Sequence, residues 1–257
     1  MILNRTYGFL FVHVPKTAGI ALSRDLSRFA MPGDILLCET INQRNGDCER
    51  YGLGQHSTAA EIRQALGGEE FDPLFKFAFA RDPYARAYSL FRFLKHNFRR
   101  WENSAIMDTF DTFDEFVASA FFQAPGPDRI FEPQAFWLVN DRGELIVDRI
   151  GRMERLESEL REIYATIGLP PIEKVKAVNV SGPRGSFAKL AARLPFARKV
   201  EDLLAPAQIA SPDLSEIYAH EDTQRIVADR YARDFDMFGY SSEFQKSATP
   251  RAAKLPA

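Results

Sequence analysis

Two cysteines in 257 residues, Cys38 and Cys48, are too few for a disulfide framework, and no Cys-x-x-Cys occurs. So little cysteine suits a reducing compartment, although a single Cys38–Cys48 bridge stays open. No segment approaches the ~20 consecutive apolar residues of a spanning helix. The apolar run at residues 7–14 is too short and lacks a signal-peptide cleavage site. The expectation is a cytoplasmic protein with no membrane span. Charge of one sign is also missing: the net is −2 and the pI about 6.1. That excludes a general nucleic-acid binder and leaves room for a local anion pocket. No internal repeat and no linker interrupt the chain, so one domain over 1–240 is expected, with 241–257 a disordered tail. Tryptophan is scarce, at 2, whereas phenylalanine reaches 22, which indicates a packed interior.

Runs of apolar residues alternate with helical periodicity. Residues 7–14 read as a strand apolar on both faces, closed by Pro15, and a helix follows over about 20–29 with Leu22, Leu26 and Phe29 on one face. Residues 34–40 read as a second strand, 43–55 as loop, and Thr58-Ala-Ala-Glu61 has the spacing of a capping box. Another strand at 74–80 ends in Arg81-Asp82-Pro83, with Asp82 placed as N-cap and Pro83 at the first helical position. Helices are expected over 108–122, 154–167 and 222–235, and short strands over 145–150 and 175–180. The reading is an α/β protein with a mostly parallel central sheet, helices on both faces, and a helical elaboration at 84–135.

In such a sheet, ligands bind beyond the carboxyl ends of the strands. Three features fall there. In Val14-Pro15-Lys16-Thr17-Ala18-Gly19-Ile20, backbone amides at a helix start join Lys16 to make an anion cradle. A plain turn with one surface lysine would account for the same residues. The loop lacks the Gly-Lys-Ser/Thr of ordinary ATP or GTP sites. Arg81 ends a strand, and Ser89 lies two helical turns on, where the pair could hold a second anion. His56 in Gly54-Gln55-His56-Ser57 precedes the capped helix, whose dipole favours a neutral, proton-accepting ring. The alternative is an idle loop histidine. His13, inside an apolar strand, reads as a core residue; His96 and His220 fall in helical stretches without a nameable partner. No His, Asp or Glu group has metal-ligand spacing.

Val14-Pro-Lys-Thr-Ala-Gly19 followed by Arg81-Asp-Pro-Tyr-x-Arg86-x-x-Ser89 resembles the sulfotransferase superfamily, closest to its carbohydrate 2-O- and chondroitin-type branch with soluble bacterial relatives. Phe131-Glu-Pro-Gln134, Val147-Asp-Arg-Ile-Gly-Arg-Met-Glu154, Asn179-Val-Ser181 and Tyr231-Ala-Arg-Asp-Phe235 look like further signposts in order, so the likeness covers most of residues 8–240. It implies a P-loop-like architecture and a donor, 3′-phosphoadenosine 5′-phosphosulfate (PAPS), that leaves as 3′,5′-adenosine bisphosphate. Pro15, Lys16, Thr17, Ala18, Gly19 and Ile20 would then surround the 5′-phosphosulfate. Arg81 and Ser89 would hold the 3′-phosphate, with Arg184 also on the nucleotide. Family members often carry hydroxyls where this chain has Ile20 and Ala21, which removes two donors.

The expected reaction moves a sulfuryl group to a hydroxyl, of a carbohydrate or glycoconjugate, without a metal. Lys16 would stabilise charge on the leaving oxygen and His56 would take the acceptor's proton, with Glu39 in reserve. Two other readings share these residues: a nucleotide-dependent phosphotransferase, against which the missing Gly-Lys-Ser/Thr counts, and an idle nucleotide-binding protein. Phe121, Phe122, Phe131 and Trp137 read either as sugar-stacking platforms or as plain core, with core the expectation for most of them.

Overall fold

The computed structural model describes residues 1–37, 47–97, 104–124, 129–171 and 214–244. Five strands form one sheet: β1 (Ile2–Asn4), β2 (Phe9–Phe11), β3 (Ile35–Leu36), β4 (Phe75–Ala80) and β5 (Arg149–Arg152), in the order β3-β1-β2-β4-β5. Strands β2, β4 and β5 are mutually parallel, whereas β1 runs antiparallel to both β2 and β3. The parallel middle agrees with the sequence reading. The antiparallel edge does not, because three residues of β1 before a turn are too few to show a period.

Why the middle strands read as unbroken apolar runs is visible in how their faces are shared. Phe9, Phe11, Phe77 and Phe79 point to one side, onto Leu22 and Leu26 of α1 (Gly19–Leu26) and the apolar face of the later helix Leu156–Ile167. Leu10, Val12, Ala78 and Ala80 point to the other, onto Ile62 of α2 (Ala59–Leu66) and onto Trp137 and Leu138. Both faces are covered, so alternation of apolar and polar residues is lost. The phenylalanines missing from these layers fill a third cluster beside the sheet. There α3 (Pro83–Asn97) and α4 (Phe113–Ala118) pack Phe91, Phe113 and Phe116 against Tyr218 and Tyr231.

Several boundaries differ from expectation for local reasons. The helix expected over 108–122 is broken: a capping box between Thr112 and Glu115 starts α4, and Ser119, extended, caps a separate turn at Ala120–Gln123. A short helix, Asp47–Tyr51, lies inside the expected loop 43–55, with Asp47 and Glu49 in its first turn. The strand placed at 145–150 is β5 at Arg149–Arg152, and only Leu145 bridges, to Val139. Gly168, left-handed at φ 73, ends α5 (Leu156–Ile167) as expected. The helix at 222–235 is two, α6 (Glu221–Arg230) and α7 (Ala232–Phe238). The chain after 240 is not all tail: Tyr84 donates its hydroxyl to Ser242 O at 2.6 Å, and Phe244 packs edge-on against Tyr84. Among the described residues no helix is long and apolar enough to cross a membrane. The strand expected at 175–180, the basic stretch 181–205, Cys38 and residues 245–257 lie outside the described residues.

The parallel β4–β5 contact carries the second motif. Phe79 faces Gly151, where an added Cβ would lie 2.5 Å from the Phe79 ring. Gly151→Ala should therefore destabilise the fold by roughly 1–3 kcal/mol through overpacking. Urea unfolding measures it, and an unchanged midpoint would show that Phe79 can move aside freely.

Candidate active site

Beyond β2 the chain runs through Val14 and Pro15 into a loop with two left-handed residues that are not glycine, Lys16 at φ 71 and Ala18 at φ 62. Such conformations cost about 1–2 kcal/mol each and gather where a backbone has work to do. Ala18 is the N-cap of α1 and contributes no side-chain cap. The amides of Ala21 and Leu22 close onto Ala18 O, while those of Gly19 and Ile20 have no acceptor within the helix. An uncapped helix start behind a loop of alternating hand has the geometry of a backbone anion cradle. Thr17 is fully buried and its hydroxyl donates inward to Val14 O at 2.9 Å, so what it can offer an anion is its amide. Gly19 is required by contact: a Cβ there would sit 1.8 Å from His13 Nε2.

Lys16 is half-buried rather than a surface lysine. Its ammonium lies 4.2 Å from the centre of the Phe93 ring. Burial, then the charges of Arg81 and Arg86, push its pKa down to about 8. Among the described residues no carboxylate acts on Lys16, and it makes no ion pair.

Asp82 caps α3 as expected, with Oδ1 accepting from the Ala85 amide at 2.9 Å. Arg81 is fixed by its backbone: its N–H donates to Gln134 Oε1 at 2.9 Å, and Gln134 Nε2 donates to its carbonyl at 2.8 Å. The Arg81 guanidinium makes no hydrogen bond among the described residues. Asp234, fully buried, accepts from the Gln134 and Ala135 amides at 2.7 and 2.9 Å and so fixes Gln134. Glu154 Oε1 accepts from the Asp82 amide at 2.7 Å, while its other oxygen takes the Tyr240 hydroxyl at 2.8 Å. Ser89, half-buried, lies two turns into α3.

His56 precedes α2, whose capping box at Thr58 and Glu61 is formed as expected. Its Nδ1 is 2.9 Å from His13 O. A carbonyl can only accept, so Nδ1 carries the proton and Nε2 keeps the lone pair. Trp137 Nε1 donates to His56 O at 3.0 Å and holds the backbone. Burial, offset in part by the bond to His13 and reinforced by the charges of the Met1 amino group and then Lys16, lowers the His56 pKa from its ordinary 6.5 to about 4. Protein surrounds most of the ring, while one side stays exposed in the cleft, and water there offsets part of that shift. His13, 2% exposed, is the core residue expected, but it belongs to the site as well. Its ring meets that of His56 edge-on at 4.4 Å, and Gln55 Nε2 donates to its Nδ1 at 3.2 Å. The cleft, about 550 Å³, is lined by His56 with Tyr51, Gln64 and the Glu61–Arg129 ion pair.

One family model, described as sulfotransferase family, matches residues 1–241. The chain belongs to the sulfotransferase family. No curated protein and no solved structure matches it.

In this member of the family, Lys16 of the loop feels the charge of Arg81, and its own charge acts on His56. Glu39 and Arg184 lie outside the described residues. His220, thought partnerless, is 3.6 Å from Asp114 and far from any of this chemistry in role. Sequence reasoning passed over Arg86, Gln134, Glu154 and Asp234, although each sits inside one of the quoted signposts.

Both histidines of the site are pushed down, the buried His13 well below its usual value by burial first. Each is neutral in the fold and gains a proton in the unfolded chain below about 6.5. The unfolded state then binds more protons, so their contribution to stability is intact above pH 6.5 and is lost as pH falls through the folded pKa. NMR titration of the two ring C–H signals should give midpoints below 6.5; a midpoint at or above that value for His56 would contradict this electrostatic picture.

Proposed function

We propose that the chain transfers a sulfuryl group from PAPS to a hydroxyl, with a carbohydrate or glycoconjugate as acceptor. The observation that carries this reading is the uncapped α1 loop with Lys16, whose charged neighbours are all cations, next to a neutral histidine that keeps Nε2 free to accept a proton. PAPS fits that donor set: it has an anionic phosphosulfate for the loop and a separate 3′-phosphate for Arg81 and Ser89. When bound it supplies an activated sulfuryl group on a nucleotide leaving group.

The roles of the residues follow from their placement. The amides of the 16–20 loop and the Lys16 ammonium bind the phosphosulfate end and neutralise charge as it develops on the leaving oxygen. Arg81, immobilised through its backbone, offers to the 3′-phosphate a guanidinium that makes no hydrogen bond among the described residues. Two hydroxyl donors are absent at Ile20 and Ala21, so backbone amides carry more of the binding there. His56 Nε2 takes the proton of the acceptor hydroxyl, and the Nδ1–H bond to His13 O supports the imidazolium that forms. Tyr51, Gln64, Glu61 and Arg129 give the cleft one aromatic face and several polar groups, a lining suited to a sugar.

Lys16→Ala should lower turnover ~10²-fold or more, the scale for one transition-state stabiliser. In the wild type, kcat/KM should fall as pH rises through about 8, where free Lys16 loses its charge. Turnover within a few-fold of wild type removes Lys16 from the mechanism. His56→Ala should cost ~10²–10⁴-fold in turnover with nucleotide affinity kept. Arg81→Ala should weaken 3′,5′-adenosine bisphosphate by roughly 10- to 150-fold while leaving adenosine 5′-phosphate nearly unaffected, as read by isothermal titration. Equal loss for both nucleotides would place Arg81 elsewhere. Mass-spectrometric detection of sulfated products across a panel of glycans and small hydroxyl compounds tests the reaction itself.

A further inference from the structure

Arg86 is one of the largest fully enclosed side chains in the protein, at 1% exposure, and no carboxylate forms an ion pair with it among the described residues. A buried guanidinium normally has one. Instead its Nε donates to Pro15 O at 3.2 Å, and its Nη2 donates to Ile130 O at 3.1 Å. Its plane lies near the rings of Trp137 and Tyr231, at 5.6 and 5.5 Å from their centres. Nη1 is buried with no hydrogen-bond partner. The nearest counter-charge that acts on it is Asp234: burial raises the pKa of that carboxyl, and the charge of Arg86 opposes the rise.

These contacts join the two halves of the site. Pro15 O belongs to the peptide bond that leads into Lys16, so Arg86 holds the donor loop at the point where its backbone turns left-handed. Trp137, under the same guanidinium, donates its indole N–H to His56 O and so holds the base. Packing alone would be met by a long apolar side chain; two carbonyls and two rings at once need the planar fork of arginine.

We infer that Arg86 is a positioning residue for sulfuryl transfer: one buried guanidinium ties the Lys16 loop to the Trp137–His56 unit and sets the charge environment of Lys16. The inference rests on the reading of Lys16 and His56 as the reacting pair. Charged or titratable groups acting on Lys16 are Arg81 at the end of β4, Arg86 on α3 and His56 before α2; the Phe93 ring of α3 covers its ammonium.

The test compares wild type with Arg86→Met and Arg86→Lys, using lysine labelled at Cε and the Lys16 signal assigned by its loss in Lys16→Ala. Removing the charge in Arg86→Met should raise the Lys16 midpoint by roughly half a unit or more. Arg86→Lys should keep the midpoint near that of wild type. It should still lower kcat ~10-fold or more at unchanged acceptor KM, because an ammonium cannot span both carbonyls. An unmoved midpoint in Arg86→Met, or a wild-type kcat in Arg86→Lys, makes Arg86 a packing residue only and overturns the inference. If Arg86→Met does not fold, Arg86→Gln takes its place in the titration. Failure of wild type to bind 3′,5′-adenosine bisphosphate sinks the sulfotransfer reading instead, and the Lys16 midpoint still decides for or against Arg86.

Discussion

Because β2 and β4 run parallel, with Phe9 opposite Phe75 and Phe11 opposite Phe77, both strands deliver the chain to the same edge of the sheet. A last bond from the Val12 amide to Phe77 O keeps them together almost to that edge. The Lys16 loop leaves from one strand and the Arg81 helix from the other, so two cations sixty-odd positions apart in sequence end up acting on one another. An antiparallel pairing would have sent them to opposite ends. Everything in the candidate site follows from this one register.

Holding those cations together is unfavourable, and the fold sets rigid backbone contacts around them, with the carboxylates of Glu154 and Asp82 acting on Arg81 at a distance. Gln134 grips the Arg81 backbone at both N–H and C=O, and the carboxylate of Asp234 is spent on the amides of Gln134 and Ala135. Glu154 caps the start of α3 through the Asp82 amide. Arg86 is held by two carbonyls and two ring faces, with its Nη1 left unpartnered. The carboxylates nearby thus hydrogen-bond to backbone amides, and among the described residues no ion pair engages the side chains of Lys16 and Arg81. Lys16 gives the clearest sign of this, since every charge that shifts it is positive.

The same economy governs the histidines. His13 turns its carbonyl to His56 and its ring to Gly19, so one residue fixes the tautomer of the base and fits against the first residue of α1. The reason foreseen for a neutral His56 was the dipole of α2. In the structure the leading cause is enclosure by protein, with the positive charges of the Met1 amino group and of Lys16 behind it. The protonation state comes out the same, for a different physical reason.

Much was legible in the residues themselves, wherever the determining interaction is local. The apolar runs at β2 and β4, the Asp82-Pro83 helix start, the Thr58–Glu61 capping box and the Gly168 stop all depend on neighbours a few positions away. The anion loop was also readable, because Pro15 through Gly19 is a contiguous stretch whose backbone does the binding. What depended on contacts across the chain was not: the antiparallel β1 edge, the break at Ser119, and the burial of Lys16 under Phe93. Gln134, Glu154 and Asp234 stood in plain view as signposts, but their work is hydrogen bonding to amides 50 to 100 positions away. Sequence determined which residue types could bind an anion and accept a proton. Only the tertiary structure decided that they share one edge of one sheet, because a parallel register is set by long-range pairing and not by any residue's own preference.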